Sequence, residues 1–225
     1  MTTTAMMSMQ EPTRILAIRH GETAWNVDFR IQGYTDIALN ARGRDQALRL
    51  GAAVGRSHAG EPVHAIYSSD LSRAFDTAQA VANNTGLTVK PVVGLRERTF
   101  GIFEGQTFDE VMQTRPEDAK RWRLREPDYC PEGGESLSQF RARILRCVEA
   151  LAAQHPGEQI AVVAHGGVMD VLYRAATGQS IQAPRTWALG NAVINRLLWT
   201  PAGFTLVGWN DATHLDEDAM TETHS

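Results

Sequence analysis

Residues 15–26 read ILAIRHGETAWN and join an apolar run directly to two basic side chains. A run such as Ile15 to Ile18 is typical of a short, buried strand. Arg19 and His20 stand at the carboxyl end of this predicted strand. In open α/β sheets, ligands bind beyond the carboxyl ends of the strands. We therefore expect Arg19 and His20 to lie in a binding site.

Five further apolar runs alternate with segments of helical periodicity along the rest of the chain. The predicted strands are residues 15–19, 63–68, 88–93, 160–165, 193–199 and 204–209. The predicted helices are residues 40–56, 70–84 and 136–154, the last of which starts with a capping box formed by Ser136 and Gln139. This alternation predicts an α/β fold, a three-layer α/β/α sandwich with a mostly parallel central sheet.

The length of 225 residues is enough for one domain with a sizeable core. We expect a disordered leader at residues 1–13, a single domain at residues 14–215 and a disordered, acidic tail at residues 216–225. The leader has no basic segment followed by an apolar one, so it does not resemble a signal peptide.

The composition excludes several classes of partner. A formal net charge of −4 argues against nucleic acid, which is bound by basic surfaces. No apolar run is long enough to cross a membrane, so we expect no membrane partner and a cytoplasmic protein. The two cysteines, Cys130 and Cys147, form no CxxC pair, which argues against a thiolate metal site. An edge strand in the C-terminal part of the sheet leads us to expect that a homodimer can form.

Polar signals follow four of the predicted strands. Besides Arg19 and His20, they are Arg73 after Ser68-Ser69-Asp70, Glu97 within Leu95-Arg96-Glu97-Arg98, and His165 within Ala164-His165-Gly166-Gly167. Each residue alone is more often structural or solvated. Because all of them come just past a strand, we expect two arginines, two histidines and one glutamate to converge at one edge of the sheet.

This set of side chains matches the chemistry of phosphoryl transfer. Arginine guanidiniums bind phosphoryl oxygens in a bidentate manner and neutralise their charge. A neutral imidazole is a good nucleophile near neutral pH. A shielded carboxylic acid can protonate the leaving oxygen and later deprotonate water.

The motifs together resemble those of the histidine phosphatase superfamily, the phosphoglycerate mutase-like proteins. The resemblance rests on Arg19-His20-Gly21-Glu22-Thr23, on Ser68-Ser69-Asp70 with Arg73, on Leu95-Arg96-Glu97-Arg98, and on Ala164-His165-Gly166-Gly167, in the family's order. It implies that His20 becomes phosphohistidine, that Arg19, Arg73 and His165 hold the phosphoryl oxygens, and that Glu97 is the proton donor and then the base.

The same resemblance implies substrate-binding positions beyond these five catalytic residues. They are Asn26, Gln32, Gly33, Arg98 and Gly166. It implies neither a metal nor an organic cofactor, and the expected partner is a small phosphorylated metabolite.

The sequence resembles the two branches of the family, the phosphatases and the mutases, to different degrees. Gln32 stands where mutases typically carry threonine, and the stretch between Glu97 and His165 is short, whereas mutases have a longer insert that keeps water out. We therefore predict a phosphomonoesterase. The pair Glu97-Arg98 resembles the mutase pair that touches the substrate carboxylate, so a bisphosphoglycerate-dependent phosphoglycerate mutase stays open as the alternative.

A non-catalytic module that binds a phosphorylated ligand on the same fold is the alternative from another class, although all the core positions are kept. For the substrate, residues 108–131 are a candidate lid. Its run Arg121-Trp122-Arg123-Leu124-Arg125 is either a basic clamp for a second anionic group or a solvated helix face with an aromatic anchor.

Overall fold

A computed structural model of the protein describes residues 11–55 and 61–215. Within these residues, one sheet contains six strands: β1 (Thr13–Arg19), β2 (Ala65–Ser68), β3 (Val89–Pro91), β4 (Gln159–Ala164), β5 (Ile194–Thr200) and β6 (Gly203–Asp211). The helices are α1 (Ala24–Val27), α2 (Ala41–Gly55), α3 (Ser72–Thr85), α4 (Phe108–Thr114), α5 (Pro116–Arg123), α6 (Leu137–Ala152) and α7 (Gly166–Thr177).

Helices cover both faces of the sheet because side chains of a strand alternate between its faces. On β1, Ile15 and Ala17 belong to the apolar cluster that contains residues of α6 and α7. Leu16 and Ile18 belong to the opposite cluster, which contains residues of α2 and α3. The three-layer α/β/α sandwich is thereby confirmed.

The sheet is mixed, with the strand order β3-β2-β4-β1-β5-β6. The first four strands in this order are parallel, whereas β5 and β6 pair antiparallel at the other side. The strands β4 and β1 are neighbours in register, with Ala164 opposite Arg19. Their carboxyl ends therefore place the next residues, His165 and His20, side by side.

The predicted helices and strands are confirmed, with changes at their ends. The third strand is shorter than predicted, because residues Val93–Leu95 turn into a 3-10 helix. The capping box of Ser136 and Gln139 is present at the start of α6. Residues 108–131, for which a lid was considered, contain α4 and α5.

The predicted leader at residues 1–13 extends too far. Thr13 is a fully buried residue of β1. Its hydroxyl is shared between the carbonyl oxygens of Ala152 and His155, at 2.8 and 2.9 Å, which holds it in place. Residues 1–10 and the predicted tail at 216–225 lie outside the described residues. Among the described helices, not one combines the length and the apolar character that crossing a membrane requires.

Candidate active site

Two histidines meet where β1 and β4 end. The backbone N–H of His20 donates to the carbonyl of Ala164 at 3.0 Å, which continues the parallel pairing one residue past β1. The two imidazole rings of His20 and His165 are buried, and their centroids lie 5.3 Å apart. The sheet thus brings together residues that are 145 positions apart in the sequence.

The tautomer of His20 follows from the hydrogen-bond partner of its imidazole ring. Nδ1 lies 2.7 Å from the carbonyl oxygen of Gly21. Because a carbonyl only accepts, Nδ1 carries the proton, and Nε2 keeps its lone pair. Burial and the positive charges of Arg19 and Arg73 lower the pKa of His20 well below its ordinary value. His20 is therefore a neutral imidazole at neutral pH, as a nucleophile must be.

Arg73, in the first turn of α3, is completely buried. Its terminal nitrogens donate to the carbonyls of Thr35 and Gly33 at 2.9 and 2.8 Å, which fixes the guanidinium plane. Its Nε has no hydrogen-bond partner in the described residues. A buried donor without a partner costs about 1–3 kcal/mol, so such atoms are expected where a ligand supplies the missing acceptor.

Arg19 and His165 show the same feature. Nε of Arg19 and both ring nitrogens of His165 are buried without a partner among the described residues. Burial lowers the pKa of Arg19 to about 10; Glu97 opposes this shift, whereas Arg185 and Arg73 add to it. Positive charge and unpaired donors are thus concentrated at one place, as binding of a phosphoryl group requires.

Glu97 is oriented by backbone donors from two segments. Its Oε1 accepts from the N–H of Arg98 at 2.9 Å and its Oε2 from the N–H of Gly167, at the start of α7, at 2.8 Å. A Cβ atom on Gly167 would lie 2.2 Å from Oε1, so only glycine allows this approach. Each oxygen keeps a second lone pair with which the carboxyl group can carry or take a proton.

Arg143 positions the chain that carries Glu97. Its guanidinium donates to the carbonyls of Gly94, Arg96 and Glu97 at 2.9 to 3.1 Å and pairs with Glu135 at 2.7 Å. This residue was missed in the sequence analysis. An arginine on a helix face carries no local signal that it will reach the carbonyls of a loop 46 positions away.

Glu104 supports the site from behind Arg73. Its carboxylate accepts from the backbone of Tyr34, Thr35 and Phe100 at 2.9 to 3.1 Å. Burial raises the pKa of Glu104, but these hydrogen bonds outweigh it and hold the pKa below the ordinary value. Glu104 therefore fixes the loop whose carbonyls orient Arg73 and is occupied as an acceptor.

The predicted substrate-binding residues surround the five central residues in different ways. Gly33 has a left-handed φ of 52° and contributes its carbonyl to Arg73. Asn26 uses its side-chain oxygen in the capping box of α1, which leaves the NH2 group to donate. Gln32 is buried, and its Oε1 has no partner in the described part of the chain. Gly166 lies against the Arg19 guanidinium.

Arg98 differs from the other predicted substrate-binding residues because its guanidinium is engaged in hydrogen bonds with the protein. It is buried and donates to the carbonyls of Glu135 and Tyr129 at 2.7 and 3.2 Å. It also lines the cavity beside Glu97. Contact with the substrate stays a prediction for Arg98, as it does for the other four.

Two further residues support His20 that were not predicted as site residues. Asn191 donates from Nδ2 to the carbonyl of His20 at 2.9 Å. Thr77 accepts from the N–H of Gly21 at 3.0 Å and donates to the carbonyl of Arg73 at 2.7 Å, and thus ties the His20 loop to α3. Thr77 lies one helical turn after Arg73 on α3, a spacing that could have indicated it.

Both buried histidines make a testable contribution to the pH dependence of stability. Burial is the largest cause that lowers the pKa of each one well below its ordinary value. In the unfolded chain they take up protons near pH 6.5, whereas in the folded state they stay neutral. The free energy of unfolding therefore falls as the pH is lowered from 7.5 to 5.5, by roughly 1 kcal/mol for each histidine.

Urea unfolding at these two pH values measures this contribution. We expect the drop in unfolding free energy to be smaller in His165→Asn, and likewise in His20→Asn, than in the unchanged protein, by roughly 1 kcal/mol. Carboxylates also contribute to the drop, but they are common to all variants and cancel in the difference. An identical drop in all three proteins would show that the folded state protonates both histidines.

With this geometry established, similarity to known proteins decides the family. A family model described as "Histidine phosphatase superfamily (branch 1)" matches residues 15–212. The chain belongs to the histidine phosphatase superfamily.

Relatives of this histidine phosphatase carry both phosphatase and mutase names. This chain is 36% identical over 211 residues to "Phosphoglycerate mutase-like protein 4" of Arabidopsis thaliana, and the match covers 93% of this chain and 90% of that protein. It is 36% identical over 207 residues to "Metal-independent phosphoserine phosphatase" of the same plant, covering 91% and 84%. A solved structure of mycobacterial glucosyl-3-phosphoglycerate phosphatase matches with a TM-score of 0.77 at 31% identity, covering 88% and 99%.

These similarities confirm the predicted family and fold. They also confirm the predicted class of a phosphomonoesterase with the histidine phosphatase fold, and the mutase alternative is consistent with them. The roles of the individual residues of the histidine phosphatase stay predictions.

Proposed function

We propose that this protein hydrolyses a small phosphorylated metabolite through a phosphohistidine intermediate on His20. One observation supports the proposal most directly. The unprotonated Nε2 of His20 lies in a site where buried nitrogens of Arg19, Arg73 and His165 have no hydrogen-bond partner among the described residues. Those donors suit the oxygens of a phosphoryl group. Glu97, whose charge raises the pKa of both Arg19 and Arg73, acts as the general acid.

In the first step, Nε2 of His20 attacks phosphorus and forms the N–P bond while the P–O bond to the leaving group breaks. Protonated Glu97 gives its proton to the leaving oxygen, so an alcohol departs. The hydrogen bond from Nδ1–H to the Gly21 carbonyl at 2.7 Å stabilises the positive charge that develops on the imidazole. Arg19 and Arg73 hold the phosphoryl oxygens throughout.

In the second step, water attacks the phosphohistidine and ionised Glu97 takes a proton from it. The N–P bond breaks, phosphate leaves, and neutral His20 and protonated Glu97 are restored. The two backbone N–H groups that hold Glu97 keep its carboxyl group in one place for both proton transfers.

The mutase alternative differs in what accepts the phosphoryl group. A mutase passes it to a sugar acid and must exclude water, whereas a phosphatase must admit water. Homodimer formation, the cytoplasmic location and the lack of nucleic-acid partners stay predictions beside this proposal.

A screen of phosphorylated metabolites for release of inorganic phosphate tests the proposal. We expect phosphate release from phosphoglycerate or a similar ester, and an unchanged rate when bisphosphoglycerate is added. The His20→Ala protein, purified in the same way, is the control for contaminating phosphatases. Strict dependence on bisphosphoglycerate, with isomerised product and no free phosphate, would instead identify a mutase.

A further inference from the structure

The segment that carries Glu97 is irregular. Residues 96–99 belong to neither a helix nor a strand, so regular backbone pairing does not fix their position. The carboxyl group of Glu97 is held at one end, by the backbone N–H groups of Arg98 and Gly167. Because buried backbone groups of an irregular segment need partners from elsewhere, the backbone end of Glu97 requires a support of its own.

Helix α6 brings a guanidinium to this backbone end. Nη1 of Arg143 donates to the carbonyls of Gly94 and Arg96, both at 2.9 Å. Nη2 of Arg143 donates to the carbonyl of Glu97 itself, at 3.1 Å. The Cζ atom of Arg143 also lies over the ring of Phe140, 5.1 Å from its centroid. The support is thus carried by a 16-residue helix with a capped start, and regular elements hold side chains more precisely than loops do.

The carboxylate of Glu135 fixes the orientation of this guanidinium. Its Oε1 accepts from Nε of Arg143 at 3.0 Å, and its Oε2 accepts from Nη2 at 2.7 Å. A guanidinium has one N–H on Nε and two on each Nη, and the contacts of Arg143 match this number at every nitrogen. Nη2 holds both the Glu97 carbonyl and Glu135, so the position of that carbonyl depends on the Glu135 side chain.

The backbone of Glu135 holds the same segment on the other side of Glu97. Its N–H donates to the carbonyl of Thr99 at 3.0 Å, and its carbonyl accepts from Nε of Arg98 at 2.7 Å. Glu135 therefore contacts the residues that follow Glu97 directly. It contacts the residues that precede Glu97 through Arg143.

The ion pair of Glu135 and Arg143 is largely shielded from water, with side chains that are 13% and 21% exposed. A shielded pair in a bidentate geometry holds its shape better than an exposed one. Burial lowers the pKa of Arg143, but the hydrogen bonds and the charge of Glu135 outweigh it and raise the pKa above the ordinary value. Arg143 therefore stays charged while Glu97 gives up and regains its proton in the proposed cycle.

We propose that Glu135 is a positioning residue for the proton transfers of Glu97 and acts through Arg143. In this role neither residue contacts the substrate. The pair sets where the carboxyl group of Glu97 lies, first relative to the leaving oxygen and then relative to the attacking water. A displacement of about 1 Å is enough to reduce a rate by about 100-fold. This inference rests on the proposed function and adds the residues that hold its acid in place.

Glu135→Gln tests the proposal, because it removes the charge and keeps the shape of the side chain. For the alkyl phosphate that the unchanged protein hydrolyses fastest, we expect kcat/KM to fall by about 10-fold to 100-fold. The loss is smaller than for Glu97→Gln, since the N–H of Gly167 still holds the carboxyl group. It should be a loss of kcat with little change in KM, because the acid acts only in the transition state. The kcat/KM for para-nitrophenyl phosphate, whose leaving group needs no proton, should change little.

Glu132→Gln is the matched control, since Glu132 is exposed in the same loop and its replacement changes the net charge equally. It is expected to leave both rates as they are. Glu135→Asp keeps the charge and is expected to recover part of the loss. Arg143→Lys keeps a charge but lacks the guanidinium fork, and should show the same selective loss as Glu135→Gln. These two variants also carry the test if Glu135→Gln does not fold, which urea unfolding reports.

A double variant decides whether Glu135 acts through Glu97. Glu97→Gln delivers no proton, so adding Glu135→Gln to it should cost nothing further with alkyl phosphates. A further loss as large as in the single variant, or equal losses with both kinds of substrate in Glu135→Gln, would overturn the proposal. Failure of the proposed function is distinguishable, because it shows in the unchanged protein as absence of phosphate release, or in His20→Ala as retained activity.

Discussion

Replacement of His20 by alanine is expected to abolish turnover, even of para-nitrophenyl phosphate. The leaving group of this substrate needs no proton, so the assay reports nucleophilic attack itself. Of the two histidines in the site, His20 is the one whose tautomer is fixed, since Nδ1–H donates to the Gly21 carbonyl at 2.7 Å. Neither ring nitrogen of His165 has such a partner within the described residues, so its ring is not prepared in the same way.

Two controls separate loss of the nucleophile from general damage. His64→Ala removes an exposed histidine just before β2 and is expected to retain activity. Addition of free imidazole to the His20→Ala protein is expected to restore part of the turnover, because the phosphoryl-binding arginines are still in place. Full activity of His20→Ala without imidazole would contradict the mechanism.

Replacement of Glu97 by glutamine is expected to slow hydrolysis of alkyl phosphates by roughly 100-fold to 10,000-fold, the usual size of general acid catalysis. The amide keeps the shape of the side chain but cannot deliver the proton. Para-nitrophenyl phosphate should lose much less in its first step, because its leaving group departs as an anion. The ratio of the two losses, measured in a single series of kcat/KM values, isolates the proton transfer.

Glu104→Gln is the matched comparison for this ratio. Glu104 acts on Arg73 through the loop at Tyr34 and Thr35, so its replacement should lower the rates with both kinds of substrate by a similar factor. If Glu97→Gln also reduced both equally, and Glu104→Gln selectively impaired the alkyl phosphates, the acid would have to be reassigned to Glu104.

Much of the fold could be predicted because the central strands are short, continuous apolar runs. Ile15 to Ile18 bury side chains on both faces of the sheet, and this pattern is visible locally. The exceptions are at the ends of elements. Thr13 is held in β1 by carbonyls of residues 152 and 155, and no local pattern indicates such a contact.

The central site could also be predicted, for a topological reason. Arg19 ends β1, His20 follows it and His165 follows β4, and the carboxyl ends of adjacent parallel strands lie side by side. The residues that position them, such as Arg143 and Asn191, could not be predicted in this way. They reach backbone carbonyls in distant segments, and contacts of that kind depend on how helices and loops are packed.

The sequence by itself therefore determined which residues stand at the ends of the strands, because each strand is a local apolar run; the strand order that makes β1 and β4 neighbours belongs to the folded sheet. Only the tertiary structure decided which arginines are free to bind a ligand. In the sequence, Arg98 and Arg125 look as available as Arg141 and Arg185, which have no hydrogen bond or ion pair within residues 11–55 and 61–215. Arg98 and Arg125, in contrast, donate to backbone carbonyls, and Arg125 also pairs with Asp170. Pairing of a charge is a property of its three-dimensional neighbours, and those are set only when the chain has folded.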